Sequence, residues 1–355
     1  MTLAPVLVPL RHRHRLKGRE WQHHPLTYRL AEADSWVPAR LPSGSAFTIR
    51  RDAGLGDCLM ITCAIAALKQ QRPDLRISLA TPPEYTALLS RFADLDRALS
   101  LEDAVTSMQP LIELSNYVER HPQANRTDRT RLFAQALGVP AGKLPAYNPT
   151  RADERAAAMV TAPNPLAPFP IREEGGGRGL GDRPIAICMR GKYPHRSWLI
   201  PRALELARRL ISQGHQVVLC DAEKRPPYAA SIPHPLLRAF GLPLATVAAI
   251  LSSCRAAVTP DTGFLHLCGC LGVPFVGIFG AIPPRLRTGL YESHLDLIAE
   301  GVPCAPCFEG HQHIACKLEC LQAITIDMVY QSLTTLLGWQ HEHRQPAKPG
   351  VYVGA

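Results

Sequence analysis

The chain has 355 residues, 46% of them hydrophobic, which suits two cores of ordinary size better than one. No stretch of about 18 uninterrupted apolar residues occurs, which argues against a membrane-spanning helix. The opening MTLAPVLVPL lacks the basic leader of a signal peptide, so a cytoplasmic protein is expected. The formal net charge of +9 points to anionic partners: a nucleotide sugar, an acidic membrane surface or nucleic acid.

Residues 1–45 show no sustained period and are expected to form a basic, poorly ordered extension. Within it RHRHRLKGRE carries five Arg or Lys against one Glu. That segment suits either a solvated tail or a peripheral contact with acidic lipid headgroups. Regular structure is expected from Ala46, where AFTIRR reads as a strand, DAGLGD as a glycine turn and CLMITCAIAALKQQ as an apolar helix. Pro73 ends that helix and LRISLA is the next strand, which completes a βαβ unit and implies a parallel sheet. LDRALSL and PLIELS read as further strands. RTRLFAQALGVP reads as a helix stopped by Gly138, and ADERAAAMV as another helix. Pro and Gly then dominate as far as Arg183, so a lobe over 46–165 is expected to give way to a linker over 166–183.

A second βαβ series follows over 184–326. PIAICM, HQVVLC, RAAVTP and PFVGIFG read as strands, while PRALELARRLISQ, PLATVAAILSSC and TGFLHLCGCLG read as helices. Residues 327–355 supply a last helix and a tail. The expected fold is α/β, with two Rossmann-like lobes facing a cleft at the carboxyl ends of their sheets.

One segment stands out chemically. RAAVTPDTGFLHLCGCLGVPFVGIFG sends a buried strand directly into Asp261-Thr262-Gly263 and a helix. The free N–H groups of that first turn, with the helix dipole, make a seat for phosphate. Thr262 adds a hydroxyl, Gly263 lets a ligand approach the backbone, and His266 lies one turn in. A plainer reading makes Asp261 the helix cap and His266 a satisfied core histidine.

The whole string resembles the DTG-x-x-H-x-x-x-x-x-G-x-P…FG signature of the ADP-heptose:lipopolysaccharide heptosyltransferases, glycosyltransferase family 9. Asp261, Thr262, Gly263, His266, Gly272, Pro274, Phe279 and Gly280 carry it. The segment GLGDCLMITCAIAALKQQRPDLRIS is similar to the family's opening motif through Gly56, Asp57, Leu59, Thr62, Leu68, Lys69 and Pro73, with Cys63 in place of the usual proline. Arg196-Ser197-Trp198 fits the family's basic-x-Trp step, and Lys192 and Arg190 stand close to it in sequence.

The resemblance implies the two-lobed GT-B architecture and inverting transfer of a heptose-like sugar from a nucleotide-diphosphate donor, ADP-linked, to a hydroxyl of a glycan or lipid-linked acceptor. It assigns acceptor binding to the first lobe and donor binding to the second. It makes Asp57 the general base, although an aspartate there can equally cap its helix. It sets a cation from among Arg190, Lys192 and Arg196 against the donor diphosphate. Apart from the resemblance, an acidic group at the end of the second strand of a Rossmann half commonly binds ribose hydroxyls. Asp221 or Glu223, after the HQVVLC strand, would take them, although a solvated turn fits as well. No cofactor is required for such chemistry.

Of eleven cysteines, Cys63, Cys188 and Cys268 sit in apolar surroundings and read as core thiols. Cys304, Cys307, Cys316 and Cys320 give C-x2-C-x8-C-x3-C, the spacing of a structural zinc or iron site, with His311 and His313 as alternative ligands. Disulfides or plain thiols fit the same spacing. Three other functions remain to be weighed: a nucleotide-sugar epimerase, a non-catalytic sugar-nucleotide-binding relative, and a basic nucleic-acid-binding protein. The last lacks any recognisable module, and an aromatic content of 6% leaves few stacking platforms.

Overall fold

The computed structural model describes residues 15–16, 19–20, 27–29, 41–107, 109–161, 183–232, 236–299, 301–307, 316–342 and 351–353. The chain divides into two units, Met1–Asn148 and Pro149–Ala355.

In the first unit, β1 (Arg15–Leu16) and β2 (Arg19–Glu20) pair as a short antiparallel ribbon, and β3 (Thr27–Arg29) lies beyond them. Then follow β4 (Ala46–Arg50), α1 (Leu55–Gln71), β5 (Arg76–Thr81), α2 (Pro83–Leu89) and β6 (Arg97–Ser100). The unit closes with α3 (Leu101–Thr106), β7 (Leu111–Glu113), α4 (Tyr117–Arg120) and α5 (Arg129–Leu137). The sheet is parallel, in the order β3-β7-β4-β5-β6. Helix α1 is apolar on every face because it is buried from Cys58 to Leu68, with α5 packed on it. Asp128 caps α5 by accepting the Thr130 N–H, and Gly138 stops it in the left-handed region at φ 69°.

The second unit runs α6 (Arg151–Thr161), β8 (Ile185–Cys188), α7 (Ile200–Ser212), β9 (Val217–Asp221), β10 (Leu237–Phe240), α8 (Leu244–Ser253) and β11 (Ala256–Pro260). It continues with α9 (Gly263–Cys270), β12 (Phe275–Phe279), β13 (His294–Ile298), α10 (Glu319–Ala323), α11 (Ile326–Glu342) and β14 (Val351–Val353). Its sheet is also wholly parallel, in the order β10-β9-β8-β11-β12-β13-β14. Every residue of β9, β11 and β12 is buried, as expected of parallel strands covered on both faces. One core cluster joins β8 to α7 and α11 through Ile185, Ile187, Leu206, Leu210, Leu333 and Leu336.

Several sequence-based expectations change here. Three strands fall before Ala46, and β3 adds an edge to the first sheet; three residues are too few to show a period. Helix α6, expected at the end of the 46–165 lobe, packs on α8 and β10 of the second unit. The 166–183 linker lies outside the described residues except for Arg183. Elements α2, α3, α4, β10 and β13 are short or irregular in composition and were not expected. Among the described residues, no helix is long and apolar enough to cross a membrane.

Candidate functional site

Each sheet reverses direction once. In the first unit β4, β5 and β6 step outward and β7 returns to the other side of β4; in the second, β8, β9 and β10 run one way and β11, β12 and β13 the other. Parallel sheets bind ligands beyond the carboxyl ends of the strands flanking such a reversal. The chemically conspicuous segments of the sequence lie at these two places.

In the first unit the reversal brings together the ends of β4 and β7. Helix α1 begins at Leu55 with Gly54 as its N-cap, so Asp57 is the third helical residue and not the cap. Its Oδ1 accepts from Arg129 Nη1 at 2.8 Å and lies 3.3 Å from Arg51 Nη2. Glu119, in α4, takes both guanidiniums: Arg51 Nη2 at 2.7 Å and Nη1 at 3.1 Å, and Arg129 Nη1 at 3.3 Å. Arg51 has no solvent exposure, donates to the Leu114 carbonyl at 2.8 Å and stands over the Phe133 ring at 5.3 Å. Burial works against the charge on Arg51 and Arg129, but Asp57 and Glu119 outweigh it and push both pKa values above the ordinary arginine range. Arg51, Glu119 and Arg129 were absent from the sequence-based candidates because each lies in a different element.

In the second unit the reversal falls between β8 and β11. Thr262, not Asp261, caps α9: its Oγ1 accepts the Phe264 N–H at 3.2 Å, which leaves the hydroxyl hydrogen to point elsewhere. Asp261 is 3% exposed and faces cations. Arg196 donates Nε to the Asp261 carbonyl at 2.9 Å and Nη2 to Oδ1 at 3.0 Å, and Arg287 Nε stands 4.0 Å from the same oxygen. Burial raises the Asp261 pKa, but Arg196, Arg287 and His266 outweigh it and hold the carboxyl below the usual range.

The loop after β8 is fitted closely to this turn. Gly191 N donates to Ser197 Oγ at 2.9 Å, and a Cβ on Gly191 would come within 2.6 Å of the Arg196 carbonyl oxygen and 2.9 Å of Thr262 Cγ2. Gly191→Ala is therefore expected to push the 190–197 loop off Thr262 and to cost about 1–3 kcal/mol of stability; differential scanning calorimetry of both proteins measures it. Lys192 is exposed, with its ammonium 5.6 Å from the Tyr193 ring. His266 is buried and its Nδ1 is 3.0 Å from the Tyr291 hydroxyl. Arg287 and Tyr291, both in the segment between β12 and β13, were not foreseen.

At the end of β9 the two carboxylates differ. Asp221 is 2% exposed and accepts from Arg190 Nε at 2.8 Å, Tyr228 OH at 2.5 Å and Glu223 N at 2.8 Å. Glu223 also pairs with Arg190, at 2.6 Å, but its side chain is 59% exposed.

Cys304 and Cys316 are exposed, Cys307 packs on the Ala281–Ile282–Leu286 cluster, and Cys320 is buried against Gly280. Among the described residues no group of three or more His, Cys, Asp or Glu is placed to hold a metal. Burial raises the Cys320 thiol, and Cys304, Cys316 and Cys307 all stand near enough to add to that shift, so the four thiols gather at one end of the unit. His311 and His313 lie outside the described residues.

Two parallel α/β sheets with glycine-rich turns at their reversal points define the Rossmann-like class to which the GT-B sugar transferases belong. The chain belongs to glycosyltransferase family 9 (heptosyltransferase), whose model matches residues 67–318. That match begins beyond Asp57 and ends before Cys320. A curated relative, lipooligosaccharide heptosyltransferase 2 of Haemophilus influenzae, is 30% identical over 117 residues, which are 30% of this chain and 34% of the relative. The match thus spans about a third of that relative's length. Among solved structures, the E. coli ADP-heptose LPS heptosyltransferase II superposes with a TM-score of 0.61 at 16% identity, covering 83% of this chain and 99% of the other. The iron-containing dodecameric glycosyltransferase TibC of enterotoxigenic E. coli H10407 gives 0.61 at 15% identity, covering 85% and 80%.

Proposed function

We propose that this protein moves a heptose or closely related sugar, with inversion, from an ADP-linked donor to a hydroxyl of a lipooligosaccharide- or lipopolysaccharide-type core. The observation that carries this is the Asp261-Thr262-Gly263 turn at the sheet reversal of a family 9 chain, and the relatives' names supply the sugar, the nucleotide and the acceptor. In this reading the free N–H groups of the first turn of α9 and the Thr262 hydroxyl hold the diphosphate, and Gly263 permits its close approach. His266 keeps the helix in register through Tyr291. Lys192, exposed and close in sequence to Arg196, supplies mobile positive charge as the leaving diphosphate gains charge. Arg196 acts mainly through Asp261, whose carboxylate it fixes. Arg190 and Asp221 brace the end of β9, and Glu223 accepts the ribose hydroxyls.

Asp57 takes the proton from the acceptor hydroxyl as it attacks the anomeric carbon. A lipid-linked acceptor would bring the protein to the cytoplasmic face of a membrane, where the basic residues 11–20 would meet acidic headgroups.

ADP is expected to stabilise the protein by about 2.7 kcal/mol at 100 times its dissociation constant, while adenosine at the same concentration adds nothing. A thermal-shift titration of both ligands makes the comparison. Equal stabilisation by adenosine would remove the phosphate seat from the account.

A further inference from the structure

The carboxylate proposed as the base sits in a quartet of charges. Asp57 Oδ1 is shared between Arg129 at 2.8 Å and Arg51 at 3.3 Å. Two guanidiniums without a second anion would hold the carboxylate so firmly in its charged form that it would accept a proton poorly. Glu119 supplies that anion. It draws on both Nη atoms of Arg51 and on Nη1 of Arg129, so the four formal charges cancel. Arg51 is wedged between the Leu114 carbonyl and Phe133 and cannot turn away. Glu119, with its side chain 37% exposed, and Arg129, at 19%, are the adjustable members.

Other ionisable groups also stand around this turn, among them Glu84, which acts on Tyr85. Cys58 follows Asp57, Asp52 precedes it in the β4–α1 turn, and Tyr85 comes from α2. Burial raises the Cys58 thiol and pushes the Tyr85 phenol up to about 12, so both are neutral near pH 7. Asp52 adds a single negative charge on the same side of the balance as Glu119.

We propose that Glu119 is a positioning residue that sets the basicity of Asp57 by drawing Arg51 and Arg129 partly away from it. The inference rests on Asp57 being the base. It gives opposite signs for two substitutions. Glu119→Gln leaves Asp57 facing two cations alone, which weakens it as a base. Arg129→Gln removes the nearer cation and strengthens it.

The test is the pH dependence of single-turnover sugar transfer from ADP-heptose to a lipooligosaccharide core, in wild type, Glu119→Gln, Glu119→Asp, Arg129→Gln and Asp57→Asn. Glu119→Gln should move the acidic limb to lower pH and reduce the plateau rate by about tenfold, well short of the roughly 10²–10⁴ reserved for Asp57→Asn. Glu119→Asp should restore most of the plateau. Arg129→Gln should move the limb to higher pH, and this shift decides the matter if Glu119→Gln fails to fold. ADP affinity should not change in any of them. Coincident acidic limbs in wild type and both charge variants, with Asp57→Asn inactive, would overturn this inference alone. Full activity in Asp57→Asn would overturn it together with the base assignment.

Discussion

Asp57→Asn is expected to leave ADP affinity nearly unchanged while turnover falls by about 10²–10⁴, the usual share of general-base catalysis. The substitution keeps the size of the side chain, and an amide oxygen can still accept from Arg129 at the 2.8 Å now spanned by Oδ1. It does not disturb the start of α1, whose N-cap is Gly54. What it removes is the ability to take a proton and the negative charge that balances the arginines. A small stability cost is therefore expected beside the large kinetic one, because Arg51 remains fully buried with Glu119 as its anion. Paired titration of ADP and single-turnover kinetics separate these effects. A tenfold loss of ADP affinity would mean that Asp57 shapes the donor site, and a full rate would mean that it takes no proton.

Asp261→Asn has the larger expected effect on stability. Its carboxylate is 3% exposed and is the anion for Arg196 and Arg287, the latter with a side chain only 5% exposed. Leaving two guanidiniums beside a neutral amide breaks a buried ion pair, at a cost of about 3–5 kcal/mol. For a unit of this size that corresponds to roughly 6–20 °C in Tm. Since Arg196 also carries the loop that rests on Thr262, ADP binding should be lost with it. Differential scanning calorimetry of the two proteins, without and with ADP, gives both numbers. A Tm within about a degree of wild type would show that the pairing contributes little.

The sign of the pH dependence follows from the same residue. Asp261 has a lowered folded-state pKa, so its contribution to stability is complete above the unfolded carboxyl value and disappears as pH falls through the folded one. Acid should therefore destabilise the wild type more than Asp261→Asn.

Local pattern made the second unit readable from its sequence. Strands β9, β11 and β12 are short apolar runs closed by turn residues, and α7 opens with Pro201 and ends just before Gly214, which has φ 85°. The Asp261-Thr262-Gly263 turn was equally plain because strand, turn and helix are contiguous. What sequence could not supply was the partner of each charged group. Arg129 meets Asp57 across 72 positions, and Arg196 meets Asp261 across 65. No period or spacing encodes a contact made only when a sheet reverses. The plainer alternatives, in which Asp57 and Asp261 cap their helices, fail for a related reason. Asp57 and Asp261 are good capping residues by type, but the backbone gives the N-cap positions to Gly54 and Thr262 and frees both carboxylates for arginine. Spacing was a fair guide to which cysteines gather, since Cys304, Cys307 and Cys316 all bear on the Cys320 thiol, but it says nothing of the apolar contacts that Cys307 and Cys320 also make.

The most direct test of the account is to incubate the protein with ADP-heptose and a lipooligosaccharide core lacking its terminal heptose, and to examine the product by mass spectrometry and NMR. The account predicts one added heptose per acceptor, stoichiometric release of ADP, and an anomeric configuration opposite to that of the donor. Retention of the donor's configuration would contradict single displacement with Asp57 as the base. Tight binding of ADP-heptose with no transfer would contradict the proposed activity and leave a sugar-nucleotide-binding protein in its place.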